Sequence, residues 1–300
     1  PLYEATLNSF DKTTLEELKN NLSVLWKMTG SLQLKGSFSI TRHTEDGRNF
    51  IDPLSKKNSK PLSVINLSSG ELRTNMGNST AWDLQGTLSY NKYIERHNIN
   101  FSAGVNAMSD KEEATSAYYR GFPSGVLNSP NYAQEIVEKP AKTESSSRLF
   151  GVTALLNYSF DNIYLFDASM RLDGSSKFGT DNKFAPFWSV GAGLNLHNYN
   201  FMKNIGFIDL LKIRGSYGQT GKVNFEAYAA KTTYVILSDQ WYKTGYGATL
   251  QALGNKKLSW ETTNALDFGV ETRMWNGLLY VKASYYNKRT VDLINDVTIP

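Results

Sequence analysis

The stretch that decides the fold is Arg148-Leu-Phe-Gly-Val-Thr-Ala-Leu-Leu-Asn-Tyr-Ser-Phe-Asp-Asn-Ile-Tyr-Leu-Phe-Asp-Ala-Ser-Met-Arg-Leu-Asp173. Phe150, Val152, Ala154, Leu156, Tyr158 and Phe160 occupy every second position. After Asp161–Asn162 the same rhythm resumes with Tyr164, Phe166, Ala168, Met170 and Leu172, opposite Asp167, Ser169, Arg171 and Asp173. A period of two puts apolar and polar side chains on opposite faces of a strand. The Asp-Asn pair between the two runs is turn chemistry. The segment is therefore a hairpin with one apolar and one polar face.

The same alternation recurs on both sides. Trp82, Leu84, Leu88 and Tyr90 oppose Asp83, Gln85 and Ser89, and Ile99, Phe101, Val105 and Ala107 oppose Asn98, Asn100, Ser102 and Asn106. Trp188, Val190 and Leu194 oppose Ser189 and Asn195, Leu266 and Phe268 oppose Asp267 and Glu271, and Val281 and Tyr285 oppose Lys282 and Ser284. With further strands near 21–28, 31–43 and 209–218, about ten are expected, most of them about ten residues long. That length crosses a bilayer at a tilt. Several apolar faces end in Tyr, Trp or Phe, where an aromatic girdle would sit.

Composition agrees. The chain is 40% hydrophobic and 13% aromatic, yet its mean hydropathy is −0.40. No run approaches the ~18 consecutive apolar residues of a membrane-spanning helix. A membrane protein of this composition has to be a barrel, whose inward half is polar. There are no cysteines, which excludes disulfides, thiolate metal sites and cysteine nucleophiles. The net charge of +4 is spread among interspersed Lys, Arg, Asp and Glu, so no nucleic-acid partner is indicated. The sequence begins at Pro1 without a leader-like segment and ends at Pro300 just after a strand-like run, which reads as a piece of a longer protein.

The connections sort by length. Thr29–Ser31, Ile94–Asn98, Asp161–Asn162, His197–Ile208 and Trp275–Gly277 are short or moderate. Thr44–Ser79, Met108–Ser147, Gly174–Asn182 and Gly218–Ser259 include the longest. Alternation of this kind suits short periplasmic turns and long extracellular loops. Glu71–Met76 is assigned to the extended arm of the strand that follows it. Residues near Tyr234 and Tyr246 form a hairpin inside a loop. One helix is expected near the N-terminus, where Thr13 or Thr14 followed by Glu16 or Glu17 makes a capping box and Leu15 and Leu18 share a face.

Motifs of chemistry are weak. Gly215, Gly218, Gly221 and Lys222 resemble a phosphate loop, but five residues rather than four separate Gly215 from Gly221, and Val223 follows the lysine. His43, His97 and His197 lie far apart in turns or at strand ends, which does not suit a metal site. No cofactor is implied.

A family resemblance completes the reading. Arg171-Leu-Asp-Gly-Ser-Ser-Lys-Phe-Gly179 with Asn182-Lys-Phe-Ala-Pro-Phe-Trp-Ser-Val190 resembles a signature of the SusC/RagA family of TonB-linked outer-membrane transporters. So do Leu211-Lys-Ile-Arg-Gly-Ser-Tyr-Gly-Gln-Thr-Gly221, Leu258-Ser-Trp-Glu-Thr-Thr263 with Leu266-Asp-Phe-Gly-Val270, and Ser284-Tyr-Tyr-Asn-Lys-Arg-Thr-Val-Asp-Leu-Ile294 with the closing Ile299-Pro300. They stand in the family's order and cover roughly 148–300.

The resemblance implies an all-β, antiparallel transmembrane barrel of 22 strands, of which residues 1–300 supply about ten. The plug and the remaining strands lie elsewhere. It also implies uptake of oligosaccharides or peptides under a SusD-like lipoprotein lid, powered through TonB by the N-terminal region, with no covalent chemistry. On this reading Asp83, Gln85, Asp167, Arg171, Asp173, Lys212, Arg214, Asp267, Glu271 and Arg273 line the lumen. Tyr118, Tyr119, Phe122 and Tyr132 are candidate loop contacts, though loop packing explains them equally well. The charged clusters Asp110–Glu113 and Lys139–Glu144 sit in the same loop. A barrel serving as an adhesin or anchor, and a soluble all-β carbohydrate-active enzyme, are the competing readings.

Overall fold

The computed structural model describes residues 3–58, 69–178, 183–223, 228–255 and 257–294. Gly179, Asn182 and the closing Ile299–Pro300 of the quoted motifs lie outside them. Among the described residues twelve strands follow one another: β1 (Phe10–Lys27), β2 (Leu32–Ile51), β3 (Glu71–Ile94), β4 (His97–Arg120), β5 (Glu135–Phe160), β6 (Tyr164–Ser175), β7 (Phe184–Asn195), β8 (Ile208–Lys222), β9 (Thr233–Tyr242), β10 (Gly245–Ala252), β11 (Glu261–Met274) and β12 (Leu279–Val291). Ten pair in the order β1-β2-β3-β4-β5-β6-β7-β8-β11-β12, and β9 and β10 form a separate two-stranded sheet. The expected hairpin at Tyr234 and Tyr246 is that second sheet. No helix among the described residues is long and apolar enough to cross a membrane.

The expected N-terminal helix does not form. Thr13, Thr14, Leu15, Glu16, Glu17 and Leu18 all belong to β1, an edge strand of the large sheet. A capping box contributes about 1 kcal/mol, whereas a strand beside β2 gains a ladder of backbone hydrogen bonds along its length. Two consecutive β-branched threonines favour the strand as well.

The chain divides into two compact units. The second comprises 22–38, 83–108 and 147–300. Its registers keep apolar beside apolar. Val152, Ala154, Leu156 and Tyr158 pair with Leu172, Met170, Ala168 and Phe166. Phe166, Ala168 and Met170 face Ala192, Val190 and Trp188. Val190 and Leu194 face Tyr217 and Ile213, which continue as Tyr217–Leu266 and Ile213–Val270 and then as Val270–Ala283. A slip of one residue anywhere would turn a whole strand over. Phe150, Met170, Trp188, Val190, Phe166 and Leu266 on this face are open to the surroundings.

Rings gather at both ends of the apolar face. Trp188 meets Tyr217 edge-on at 5.7 Å. At the other end His97, Phe160, Tyr164, Tyr199 and Phe201 follow one another at 4.9–6.2 Å between ring centroids. From Phe150 to Tyr158 is about eight residues, roughly 27 Å of extended strand. That is close to the ~25 Å apolar band of an outer-membrane barrel once tilt is allowed for.

The short turns are tightly stitched. Asp161 and Asn162 both have positive φ (56° each), as do Trp275 (56°), Asn276 (51°) and Gly277 (85°). Left-handed backbone at Asp161 and Asn162, with the Ile163 N–H donating to the Phe160 carbonyl at 3.0 Å, makes a turn whose twist matches that of the flanking strands. The Asn162 carbonyl accepts from the side-chain amides of Asn195 (2.7 Å) and Asn198 (2.9 Å). Arg96 ion-pairs with Asp161 and lies over the Phe160 ring. His97 Nδ1 meets the Tyr158 hydroxyl at 2.7 Å, and His197 Nδ1 accepts from the Leu211 N–H at 3.3 Å, so both histidines brace turns.

The first unit comprises 1–21, 39–82 and 109–146. Here the long connections prove shorter than expected. β2 runs on to Ile51 and β3 starts at Glu71. β4 continues to Arg120, and β5 starts at Glu135. The assignment of Glu71–Met76 to the following strand holds. A small core of Phe50, Leu72 and Phe122 closes this unit, with Phe50 and Phe122 edge to face at 5.2 Å. Beside it Asn58 donates through Nδ2 to the carbonyls of Asp52 (2.7 Å), Pro53 (3.1 Å) and Ser55 (2.8 Å), while its Oδ1 accepts from Gly70 N–H at 3.0 Å. Gly70 has φ +86°, and a Cβ there would lie 2.9 Å from Pro53 Cγ and 3.1 Å from Phe122 Cβ.

Replacing Asn162 by Val forces a β-branched residue into left-handed backbone. The expected cost is about 1–3 kcal/mol, while Asn162→Gly is close to neutral. Urea midpoints of the intact protein in lipid vesicles check this.

Candidate functional site

The polar face of the second unit carries the candidate site. On β5 to β8 and on β11 the residues between the apolar ones pair with each other: Thr153 with Arg171, Asn157 with Asp167, Asp167 with Gly191, Gly193 with Arg214, Ser216 with Asp267, and Lys212 with Glu271. Asp167, Arg171, Asp173, Lys212, Arg214, Asp267, Glu271 and Arg273 therefore share one face, as the alternation predicts.

Arg171 is the centre of the best-built cluster. Its Nε donates to Asp173 Oδ2 at 2.5 Å, Nη1 to Thr153 Oγ1 at 3.0 Å, and Nη2 to Asn106 Oδ1 at 2.9 Å. The guanidinium thus ties β4, β5 and β6 together. Gly151 makes this possible: a Cβ there would stand 2.5 Å from both Asn106 Oδ1 and Asp173 Oδ1. Asp173 is buried, and its Oδ1 has no hydrogen-bond partner among the described residues. Asp83 and Gln85 join Ser102, Asn106, Thr153 and Arg171 around a groove of about 420 Å³. Reasoning from the sequence omitted Asn106 and Thr153 from the site. Their strand parity, together with the pairing of Thr153 opposite Arg171, is the signal that finds them.

The other charges are more loosely held. Arg214 pairs with Asp267 at 3.5 Å, leaving its own Nε buried without a partner among the described residues. Glu271 pairs with Lys282 at 3.3 Å. Lys212 stands opposite Glu271, and Arg273 opposite Leu210. Among the described residues no group of three metal-ligating side chains comes together.

The four loop aromatics separate in the first unit. Phe122 is buried in the small core, and Tyr119 packs against it. Tyr118 is buried as well. Its hydroxyl donates to Glu71 (2.7 Å) and accepts from Arg120 Nη2 (2.8 Å), and Arg73 lies 3.9 Å from its ring centroid. These three rings hold the unit together, whereas Tyr132 is exposed. A second groove of about 340 Å³ includes Asp11, Glu45, Arg48, Asn49, Arg73, Asn75 and Glu138.

The two charged clusters meet as a lattice. Lys111 bridges Glu113 (2.7 Å) and Glu144 (3.3 Å), and Lys142 bridges the same two at 3.1 and 3.6 Å. The hydrogen bond from Lys111 holds the Glu113 carboxyl below its ordinary range, and the bond to Glu113 raises Lys111.

Residues 3–300 match the TonB dependent receptor-like, beta-barrel family, and the chain belongs to it. It is 31% identical over 227 residues to the TonB-dependent receptor P26 of Formosa agariphila, covering 74% of this chain and 23% of that protein. It is 29% identical over 222 residues to the TonB-dependent receptor SusC of Bacteroides thetaiotaomicron, covering 71% and 22%. The chain spans less than a third of the length of these relatives. In fold it is similar to a structure described as that of the RagAB peptide transporter, with a TM-score of 0.85 at 23% identity over 97% of this chain and 32% of that one. The resemblance to the SusC/RagA type is thus supported, and the protein is part of an outer-membrane β-barrel of a Gram-negative bacterium, a transporter family rather than an enzyme family.

Arg171→Leu orphans the buried Asp173 carboxylate and is expected to cost about 1–3 kcal/mol. Adding Asp173→Leu recovers part of that loss, which a double-mutant cycle on urea midpoints measures. For the lattice the signs differ. Glu113, with a lowered folded pKa, contributes stability above the usual carboxylate value of about 4.3 and loses it as pH falls through the folded value. Lys111, with a raised pKa, contributes fully below about 10.4 and loses its share as pH rises through the folded value. Melting curves of wild type and Glu113→Gln are expected to differ by a constant amount near neutrality and to converge in acid.

Proposed function

We propose that this chain builds part of the wall of a TonB-dependent outer-membrane importer that takes up oligosaccharides or peptides together with a SusD-like surface lipoprotein. The observation that carries the reading is the in-register polar face, on which paired charges and glycines alternate with an unbroken apolar face. In a barrel the apolar face meets lipid and the polar face lines the lumen. Asp83, Gln85, Asp167, Arg171, Asp173, Lys212, Arg214, Asp267, Glu271 and Arg273 then shape the path of the cargo. The wall supplies shape and field rather than bond chemistry.

In such a barrel short turns belong to the periplasmic side and long connections to the extracellular side. Tyr132 and the polar groove beside Tyr118 are available to cargo or lid. Energy is delivered through a plug and a TonB-contacting segment outside this chain. The description of RagAB as a peptide transporter and the likeness to SusC favour import over adhesion.

Purifying the intact protein from outer membranes is expected to recover a surface lipoprotein in stoichiometric complex. Recovery of the barrel alone, with a mass that leaves no room for a folded plug, would overturn import and favour a surface anchor.

A further inference from the structure

The first unit holds a further groove of about 480 Å³. Leu18 and Ile40 meet there with Arg42, Asn78, Thr80 and Lys111. On its own strand each has the parity of the lipid-facing series: Leu18 with Leu22 on β1, Ile40 and Arg42 with Phe38 on β2, Asn78 and Thr80 with Trp82 on β3, and Lys111 with Val105 on β4. Alternation of side chains along a strand carries them to the outer surface of the wall. Within the first unit that series passes from the apolar Leu18, Ile40 and Trp82 to the charged Arg42 and Lys111, the change expected of a barrel wall at its lipid headgroups.

The charges there do not cancel. Lys111 and Lys142 are matched by Glu113 and Glu144. Arg42 makes no ion pair among the described residues, so among the groove's lining residues Arg42 and Lys111 outnumber the one carboxylate, Glu113, beside the donors of Asn78 and Thr80. Lys111 also has three donors and two carboxylate partners. Apolar Leu18 and Ile40, amide and hydroxyl donors and an excess of basic over acidic side chains suit an amphiphilic anion. An inorganic ion would leave Leu18 and Ile40 unused.

We propose that this groove binds the phosphate-bearing headgroup of a lipid in the leaflet nearest the long connections. Arg42 is the principal anion contact, Lys111 assists, and Leu18 and Ile40 meet the first carbons of the acyl chains. The site is independent of what the barrel imports. Its polarity is set by Glu113, whose carboxylate also lines the groove.

The test uses the intact protein in phosphatidylcholine nanodiscs doped with phosphatidic acid, counting retained lipids by native mass spectrometry. Wild type is expected to retain phosphatidic acid over phosphatidylcholine, and more weakly as salt rises. Arg42→Gln is expected to reduce that preference about five-fold, the effect of one basic residue at a lipid surface, and Arg42→Lys to keep most of it. Glu113→Gln is expected to increase it, a gain that misfolding does not imitate. Equal retention by wild type and Arg42→Gln would overturn the proposal. So would displacement of phosphatidic acid by free inorganic phosphate, which would make the site one for the ion and not the lipid.

Discussion

Backbone hydrogen bonding in hydrocarbon is the constraint on which the rest depends. No water is available there to satisfy an open N–H or C=O, so each strand has to be paired along both edges. Side chains are then free to divide by parity, one set to lipid and one to the interior. The registers from β5 to β12 show how strict this is, since every apolar pair would be inverted by a slip of one residue. The turns at one end fix that register. Left-handed Asp161 and Asn162 close β5 onto β6, while Asn195 and Asn198 hold the Asn162 carbonyl from the next hairpin.

A polar face inside such a wall has its own packing problem. Large charged side chains on adjacent strands need room, and small residues opposite them give it. Gly151 sits under Arg171 and Asp173, Gly191 faces Asp167, and Gly269 faces Arg214. Glycine costs stability in a strand interior, so its recurrence here is explained by the neighbours it admits. The same reasoning disposes of the phosphate-loop likeness at Gly215, Gly218 and Gly221, which are positions within β8.

What the sequence reveals follows the environment. Where one face meets lipid and the other does not, alternation is strong, and the strands and the polar-face residues of the second unit were readable from it. In the first unit the strands carry polar residues on both faces, as in Glu135–Ser146 of β5 and Asp110–Ser116 of β4. Period two fades there, and long loops were expected where strands continue. The misplaced helix at Thr13–Leu18 has the same origin: without alternation, a local capping pattern outweighed a partner strand that is not local. Tyr118 and Phe122 look like surface aromatics in an exposed loop, and only the long-range contacts with Glu71, Phe50 and Leu72 reveal them as internal. Arg171 was legible by parity, but its link to Asn106 joins strands far apart in the chain.

On the proposed import role, the length of β4 and β5 also changes what capturing a molecule costs. An irregular connection from Met108 to Ser147 would sample many conformations and surrender them whenever something bound. As built, only Gly121 to Gln134 lies between the two strands, and Phe122 within it is already anchored beside Phe50. Most of the ordering entropy is spent when the protein folds, so an arriving molecule meets a rim whose shape is largely settled. If this wall serves import as proposed, affinity there depends on fit rather than on the discipline of a wandering loop, and discrimination between cargoes becomes a property of the folded wall itself.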